Sequence, residues 1–276
     1  NYDLIGRVYT QGVGGVTSKF ANVAEMASHG VEFTLSTTNI KPKQEGGFSW
    51  NTDFTFSYAH TNITKLVARS RIIDLVPGTG FALQNYPHRA IFSYQFVGLN
   101  KHGIPQVINE DGNVTTTDVN FQEFEKLSYL RYEGPVDPTI SGGFGNNLGW
   151  KGFRLNVFMT YSAGNKLRLT PTFASGYSDQ VAMPKEFKNR WVMPGDEAYT
   201  NIPAIASRRQ VYSDIYLSRA YSAYNYSSAR IASGAFVRLK EVSLSYDIPK
   251  SFLKALRLNS ASLKLAATNI CLLYAD

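Results

Sequence analysis

The chain of 276 residues has one cysteine, Cys271, and four histidines. A lone cysteine excludes an internal disulfide and a Cys-x-x-Cys metal framework. His29, His60, His88 and His102 stand in unrelated contexts, with no H-E-x-x-H or other ligand spacing; no zinc site is expected. There is no G-x-S-x-G. Neither "GVGG" (12–15) nor "GGFG" (142–145) forms a G-x-G-x-x-G. No enzymatic activity, cofactor or metal is expected. The cationic excess of +7 is scattered along the chain, without the Lys/Arg block of a nucleic-acid patch. No run of about 18 apolar residues exists, which excludes a transmembrane helix. It does not exclude a membrane crossed by strands, which need only about 9–11 alternating residues each.

Aromatic residues and glycine are abundant: Tyr 17, Phe 17, Trp 3 and Gly 22. That mixture over short alternating segments points to β structure. Residues 31–38 alternate, with Val31, Phe33 and Leu35 in one phase. Phe48, Trp50, Thr52, Phe54, Phe56 and Tyr58 alternate with Ser49, Asn51, Asp53, Thr55 and Ser57. Further strands are expected at 89–98, 139–149, 153–163 and 236–246, with a last one at about 258–269. In the segment 236–246 the apolar phase changes between Leu239 and Val242, which predicts a β-bulge near Lys240–Glu241.

The connections alternate in length. Those at 39–47, 150–152 and 249–257 are short. Those near 59–88 and 164–226 are long and aperiodic, and long connections are usually functional. Short turns on one side and long loops on the other are the layout of an outer-membrane barrel. Parity then asks for zero or two wall strands between residues 58 and 139. A hairpin of 89–98 with 104–109 would supply two.

Alternation alone leaves two architectures open. In a membrane barrel the apolar phase faces lipid and the polar phase a wet lumen. In a soluble β-rich binding module, such as a carbohydrate-binding domain, the same faces are inverted. The preferred fold class is all-β, a transmembrane antiparallel β-barrel. Phe153, Leu155, Val157, Met159 and Tyr161 would then see lipid, and Asp53, Asn147, Arg154 and Asn156 the lumen. Trp50 and Trp150, beside short turns, would anchor at the membrane interface. "NEDGN" (109–113) reads as a polar turn, since the remaining spacing of a Ca²⁺ loop is missing.

Several segments resemble one family in order. "NVAEMASHGVEFTLS" is similar to a segment recurring in TonB-dependent receptor barrels, with Gly30, Val31 and Glu32 at its centre. "DPTISGGFGNNLGWKGFRLNVFMTYSAGNK" (137–166) resembles the hallmark of the SusC/RagA family. "RWVMPGDEAYTNIP" (190–203), "RIASGAFVRLKEVSLSYDIPK" (230–250) and "LKLAATNICLLYAD" resemble its late loop, penultimate hairpin and near-terminal strand. The resemblance implies a TonB-linked outer-membrane importer of oligomeric nutrients, glycans or peptides, in a Gram-negative bacterium. It implies pairing with a SusD-like surface lipoprotein, and contact with TonB through an N-terminal region outside this chain. Residues 1–276 would be the C-terminal part of a large barrel, without its plug, bearing long extracellular loops. Trp191 and Arg190 in one long loop, and Tyr86 and Arg89 at the foot of the other, are the candidate contacts to an oligosaccharide or peptide.

Overall fold

A computed structural model describes residues 4–9, 18–67, 72, 76, 82–123, 126–177, 182–255 and 258–276. Pro77, Gly78 and Gly80, read as loop residues, lie outside the described residues. The chain divides into two compact units. A sheet unit comprises Ser28–His60, Pro138–Asn165 and Ser233–Asp276, and a loop unit comprises Asn1–Ala27, Thr61–Asp137 and Lys166–Ala232.

The main sheet is antiparallel, built from β1 (Leu4–Tyr9), β2 (Ser18–Ile40), β3 (Ser49–Leu66), β9 (Ile140–Trp150), β10 (Phe153–Ala163), β13 (Phe236–Asp247) and β14 (Ser262–Ala275), in that order. The strands between β3 and β9 lie outside it. β4 (Ala90–Ser93) pairs with β8 (Arg131–Pro135), β11 (Lys166–Arg168) pairs with β12 (Ile231–Ser233), and β5 (Phe96–Leu99), β6 (Pro105–Ile108) and β7 (Val114–Thr115) form a small sheet of their own. The hairpin expected from 89–98 and 104–109 survives only as β5–β6, and it adds nothing to the main sheet. Parity is met with zero intervening wall strands among the described residues. Two strands are also longer than alternation indicates. β2 begins at Ser18, and β3 runs on to Leu66 instead of ending at Tyr58. β14 is displaced towards the C-terminus, ending at Ala275.

Register puts one phase of every strand in line. Trp50 pairs with Leu148, Leu148 with Leu155, Leu155 with Leu244, and Leu244 with Leu265. Directly paired residues project from the same side of a sheet, so these five share one face. Met159 then pairs with Leu239 and Phe158 with Glu241, skipping Lys240. That extra residue is the bulge, and it keeps Val237, Leu239, Val242 and Leu244 on one face despite their change of parity. On β14 the shift is matched at Asn269, whose φ is 52° and whose Oδ1 accepts from Lys240 Nζ at 2.7 Å.

β9 is thin because it is glycine-rich, and rings of β10 cover the gaps. On the apolar face Tyr161 lies over Gly142, and its hydroxyl donates to the Thr55 carbonyl on β3 at 2.9 Å. On the other face the Phe158 ring lies over Gly143 and Gly145. The β9–β10 turn is two residues, Lys151 and Gly152, with φ of 47° and 86°. Positive φ at both positions marks a type I′ turn, whose twist suits a tight hairpin.

The loop unit is not irregular chain. One core gathers Phe92, Tyr94, Val107, Val119, Tyr129 and Leu130. A second gathers Phe173 and Phe187 with Leu217, Ala220, Tyr221 and Tyr224, the i, i+3, i+4, i+7 face of helix α2 (Leu217–Asn225). Burying each such large side chain is worth roughly 1.5–3 kcal/mol. The preceding helix α1 (Arg208–Ser213) starts in a capping box, with Ser207 and Gln210 satisfying each other's backbone N–H. Two arginines tie the unit together. Arg168 Nη2 donates to the Phe92 carbonyl at 2.6 Å and to Ser93 Oγ at 3.1 Å. Burial lowers its pKa to about 10. Arg230, 3% exposed, pairs with Glu186 and sits 4.8 Å over the Phe173 ring.

Candidate functional site

The polar face of the sheet unit is ordered in rows. Nearest the short turns run Ser49, Gly149, Arg154, Ser245 and Lys264, each paired with the next. The next row is Asn51, Asn147, Asn156 and Ser243. Asp53 belongs to the row beyond, opposite Gly145. Asp53, Asn147, Arg154 and Asn156 therefore share one face, opposite Phe54, Phe144, Leu155 and Met159. Arg154 Nη2 donates to both Asp247 carboxylate oxygens, at 2.7 and 2.8 Å. Ser36 Oγ donates to Asp53 Oδ1 at 2.7 Å. The two rows line an open concavity of about 420 Å³. Amides and hydroxyls both donate and accept, so this surface can hold water or hydrogen-bond a neutral polar chain.

In the loop unit the four candidate contacts occupy two separate places. Trp191 is half-buried. Its indole lies against Gly103, where an added Cβ would stand 2.6 Å from the ring, and its Nε1 donates to Glu197 at 2.8 Å. Arg190 Nη1 donates to the Phe187 carbonyl at 3.1 Å. Tyr86 packs on Phe92 and Tyr132, with ring centroids 5.0 and 4.9 Å away. Arg89 pairs with Asp137 at 2.6 Å. Each candidate has a partner within the loop unit.

The turn after Trp191 is held by two carboxylates. Asp196 accepts the Met193 and Val192 amides, which keep its pKa below the usual range. The Trp191 indole does the same for Glu197, helped by the Gly195 amide. The residues that this turn leaves open are Val192, Met193 and Tyr199, the last 91% exposed. Tyr212, in the last turn of α1, and Ile215 and Tyr216, between α1 and α2, are exposed too. Alternation could not single these out, because they stand in aperiodic chain. "NEDGN" is a polar turn: Asn109 Oδ1 accepts the Asp111 and Asn113 amides, and Asp111 pairs with Lys126. Among the described residues, no group of three His, Cys, Asp or Glu side chains is placed to hold a metal. Among those residues no helix is long and apolar enough to cross a membrane, which leaves strands unjudged.

No family model matches the chain. Two curated relatives from Formosa agariphila do. TonB-dependent receptor P3 is 26% identical, over 93% of this chain and 25% of the relative. TonB-dependent receptor P39 is 22% identical, over 97% of this chain and 28% of the relative. The chain thus spans about a quarter of the length of the curated relatives it matches. Among solved structures, the RagAB peptide transporter superposes with a TM-score of 0.72 at 23% identity, over 99% of this chain and 28% of that one. The RagAB peptide importer in its closed-closed state gives 0.71 at 22% identity, over 100% and 29%. The strand order, the two-faced sheet and these likenesses agree with the motif resemblance: the chain is similar in sequence to a section of TonB-dependent receptors and has the fold of a section of the RagAB transporters.

Proposed function

We propose that this chain supplies part of the wall and outer loops of a TonB-dependent importer of oligomeric nutrients, glycans or peptides. It acts together with a SusD-like surface lipoprotein. The observation that carries this reading is the uncovered apolar face of the sheet unit. Phe33 is 49% exposed, Trp150 55% and Leu265 67%. A soluble sandwich would bury that face under a second sheet. Contiguous exposed apolar surface of this kind marks a membrane or protein interface. In the barrel it meets lipid, and Asp53, Asn147, Arg154 and Asn156 line the lumen. The loop unit is then an ordered body that meets the cargo and the lipoprotein. Val192, Met193, Tyr199 and Tyr212 offer it open contact area, beside Trp191, Arg190, Tyr86 and Arg89. A coupling to TonB passes through parts of the receptor outside this chain.

The test is purification of the full-length receptor from bacterial membranes, with identification of co-purifying chains and measurement of oligomer uptake. Outer-membrane fractionation, heat-modifiable migration, a bound lipoprotein and uptake lost without TonB are the expected results. A protein that stays in the soluble fraction as a monomer, stable without detergent, overturns the reading.

A further inference from the structure

We propose that the short-turn edge of the sheet unit binds the headgroups of anionic phospholipids, through a cluster of Lys41, Lys43 and Lys151. The inference rests on the membrane reading above and names a lipid partner for one edge of it. Three observations converge there. The first is unpaired charge. All three lysines are exposed. Among the described residues none of them takes part in an ion pair. Of the carboxylates nearby, Asp247 is already held by Arg154, and Glu45 alone lies in the same turn. The second is the joining of separate turns into one edge. The Lys151 amide donates to the Gly46 carbonyl at 3.0 Å, and the Asp247 amide to the Gly152 carbonyl at 2.9 Å. The lysine turns are thereby fixed beside one another.

The third is a ring of apolar groups at the same edge. Phe48, Trp50, Trp150 and Phe153 are exposed beside these turns. Helix α3 (Lys250–Ala255), following β13, buries Leu253 and leaves Phe252 71% exposed. Aromatic side chains concentrate where acyl chains meet headgroups, and lysines reach past them to phosphate. Lys151 Nζ lies 4.8 Å over the Trp150 ring, which aims one cation at that level. The turn itself argues for selection of the charge. Lys151 has φ of 47°, where Asn or Gly is the favoured residue. A strained backbone held at a charged side chain invites a functional explanation. Neutral headgroup recognition would not need three cations, and a protein partner would bury the aromatic ring that lipid must wet.

The experiment uses the full-length receptor in nanodiscs, with phosphatidylglycerol as probe and phosphatidylethanolamine as the neutral control. Retained lipids are counted by native mass spectrometry after controlled delipidation. Each lysine at an anionic surface is worth about fivefold in partition, so the variant Lys41→Gln/Lys43→Gln/Lys151→Gln should hold phosphatidylglycerol about a hundredfold more weakly. Phosphatidylethanolamine retention should not change, and inorganic phosphate should not compete. Lys151→Gly alone, which relaxes the turn, should lose only the fivefold share and keep heat-modifiable migration. Equal retention of phosphatidylglycerol by wild type and the triple variant overturns the proposal, as does equal retention of the two lipids by wild type. A receptor that never fractionates with the outer membrane instead overturns the importer reading, so the two failures are distinct.

Discussion

Gly142 should be among the least replaceable residues of the sheet. A Cβ there would stand 2.1 Å from the Thr55 carbonyl oxygen and 2.4 Å from the Tyr161 hydroxyl oxygen. The first neighbour is backbone and cannot rotate away. The second is engaged, since the Tyr161 hydroxyl donates to that same carbonyl and its ring stacks on Phe54 at 6.3 Å and 15°. Gly142→Ala therefore displaces Tyr161 and strains the β3–β9 ladder. The lost hydrogen bond costs about 1 kcal/mol. The lost ring pair costs about 1 kcal/mol. Crowding of the ladder adds about 1 kcal/mol, at the low end for overpacking. Alanine's lower backbone entropy offsets about 0.7 kcal/mol. The net destabilisation is about 2 kcal/mol, against about 1 kcal/mol for Tyr161→Phe, which removes the hydrogen bond alone. The assay is the urea midpoint of the full receptor in lipid vesicles, followed by heat-modifiable migration. The double variant should be less than additive, because alanine already breaks the bond that phenylalanine lacks. A Gly142→Ala variant within about 0.5 kcal/mol of wild type, or strict additivity, refutes the reasoning.

Other outcomes follow from the same contacts. Glu186→Gln removes the counter-charge of an Arg230 that is 3% exposed; since Glu186 is itself 40% exposed, the loss should be about 2 kcal/mol rather than the 3–5 of a fully buried pair, read as faster hydrogen exchange across 217–230. Asp196 and Glu197 have folded pKa values below their unfolded ones. Their contribution is thus intact above about pH 4.5 and lost as pH falls through the depressed values. Hydrogen exchange of the 192–199 amides, which Asp196 and Glu197 hold, should report that release only below about pH 4.5; release between pH 5 and 7 would contradict the carboxylate contacts. Asn269→Val places a branched side chain at φ 52° and should cost about 1–2 kcal/mol in the same urea assay, while Asn269→Gly should stay within about 0.5 kcal/mol of wild type.

Much of the sheet unit is legible without coordinates. Alternation in 48–58 and 153–163 assigns side chains to faces because each peptide reverses direction relative to the last. The change of phase around Lys240 reveals a bulge by the same rule, since one added residue is the least that can restore the face. The loop unit was not legible in that way. Its helix α2 shows a core-facing stripe of only Leu217, Ala220, Tyr221 and Tyr224, too short to stand out in a stretch rich in Ser, Tyr and Ala. The capping pattern Ser207-Arg208-Arg209-Gln210 was the available signal for the helix before it.

The candidate contacts divide along the same line. Asp53, Asn147, Arg154 and Asn156 come to one face because they share a parity and adjacent strands, both of which are local properties of the chain. Trp191, Arg190, Tyr86 and Arg89 came from their setting in long connections, and their surroundings depend on distant residues: Gly103 under Trp191, Tyr132 beside Tyr86, Asp137 on Arg89. The sequence by itself determined the two-faced strands, the tight Lys151–Gly152 turn and the bulge, because each follows from backbone geometry over a few residues. Only the tertiary structure decided that none of the described strands between β3 and β9 enters the main sheet, that Tyr161 closes the gap over Gly142, and that the long connections own two cores. Those outcomes are set by which surfaces can be buried together, and chain order does not encode that locally.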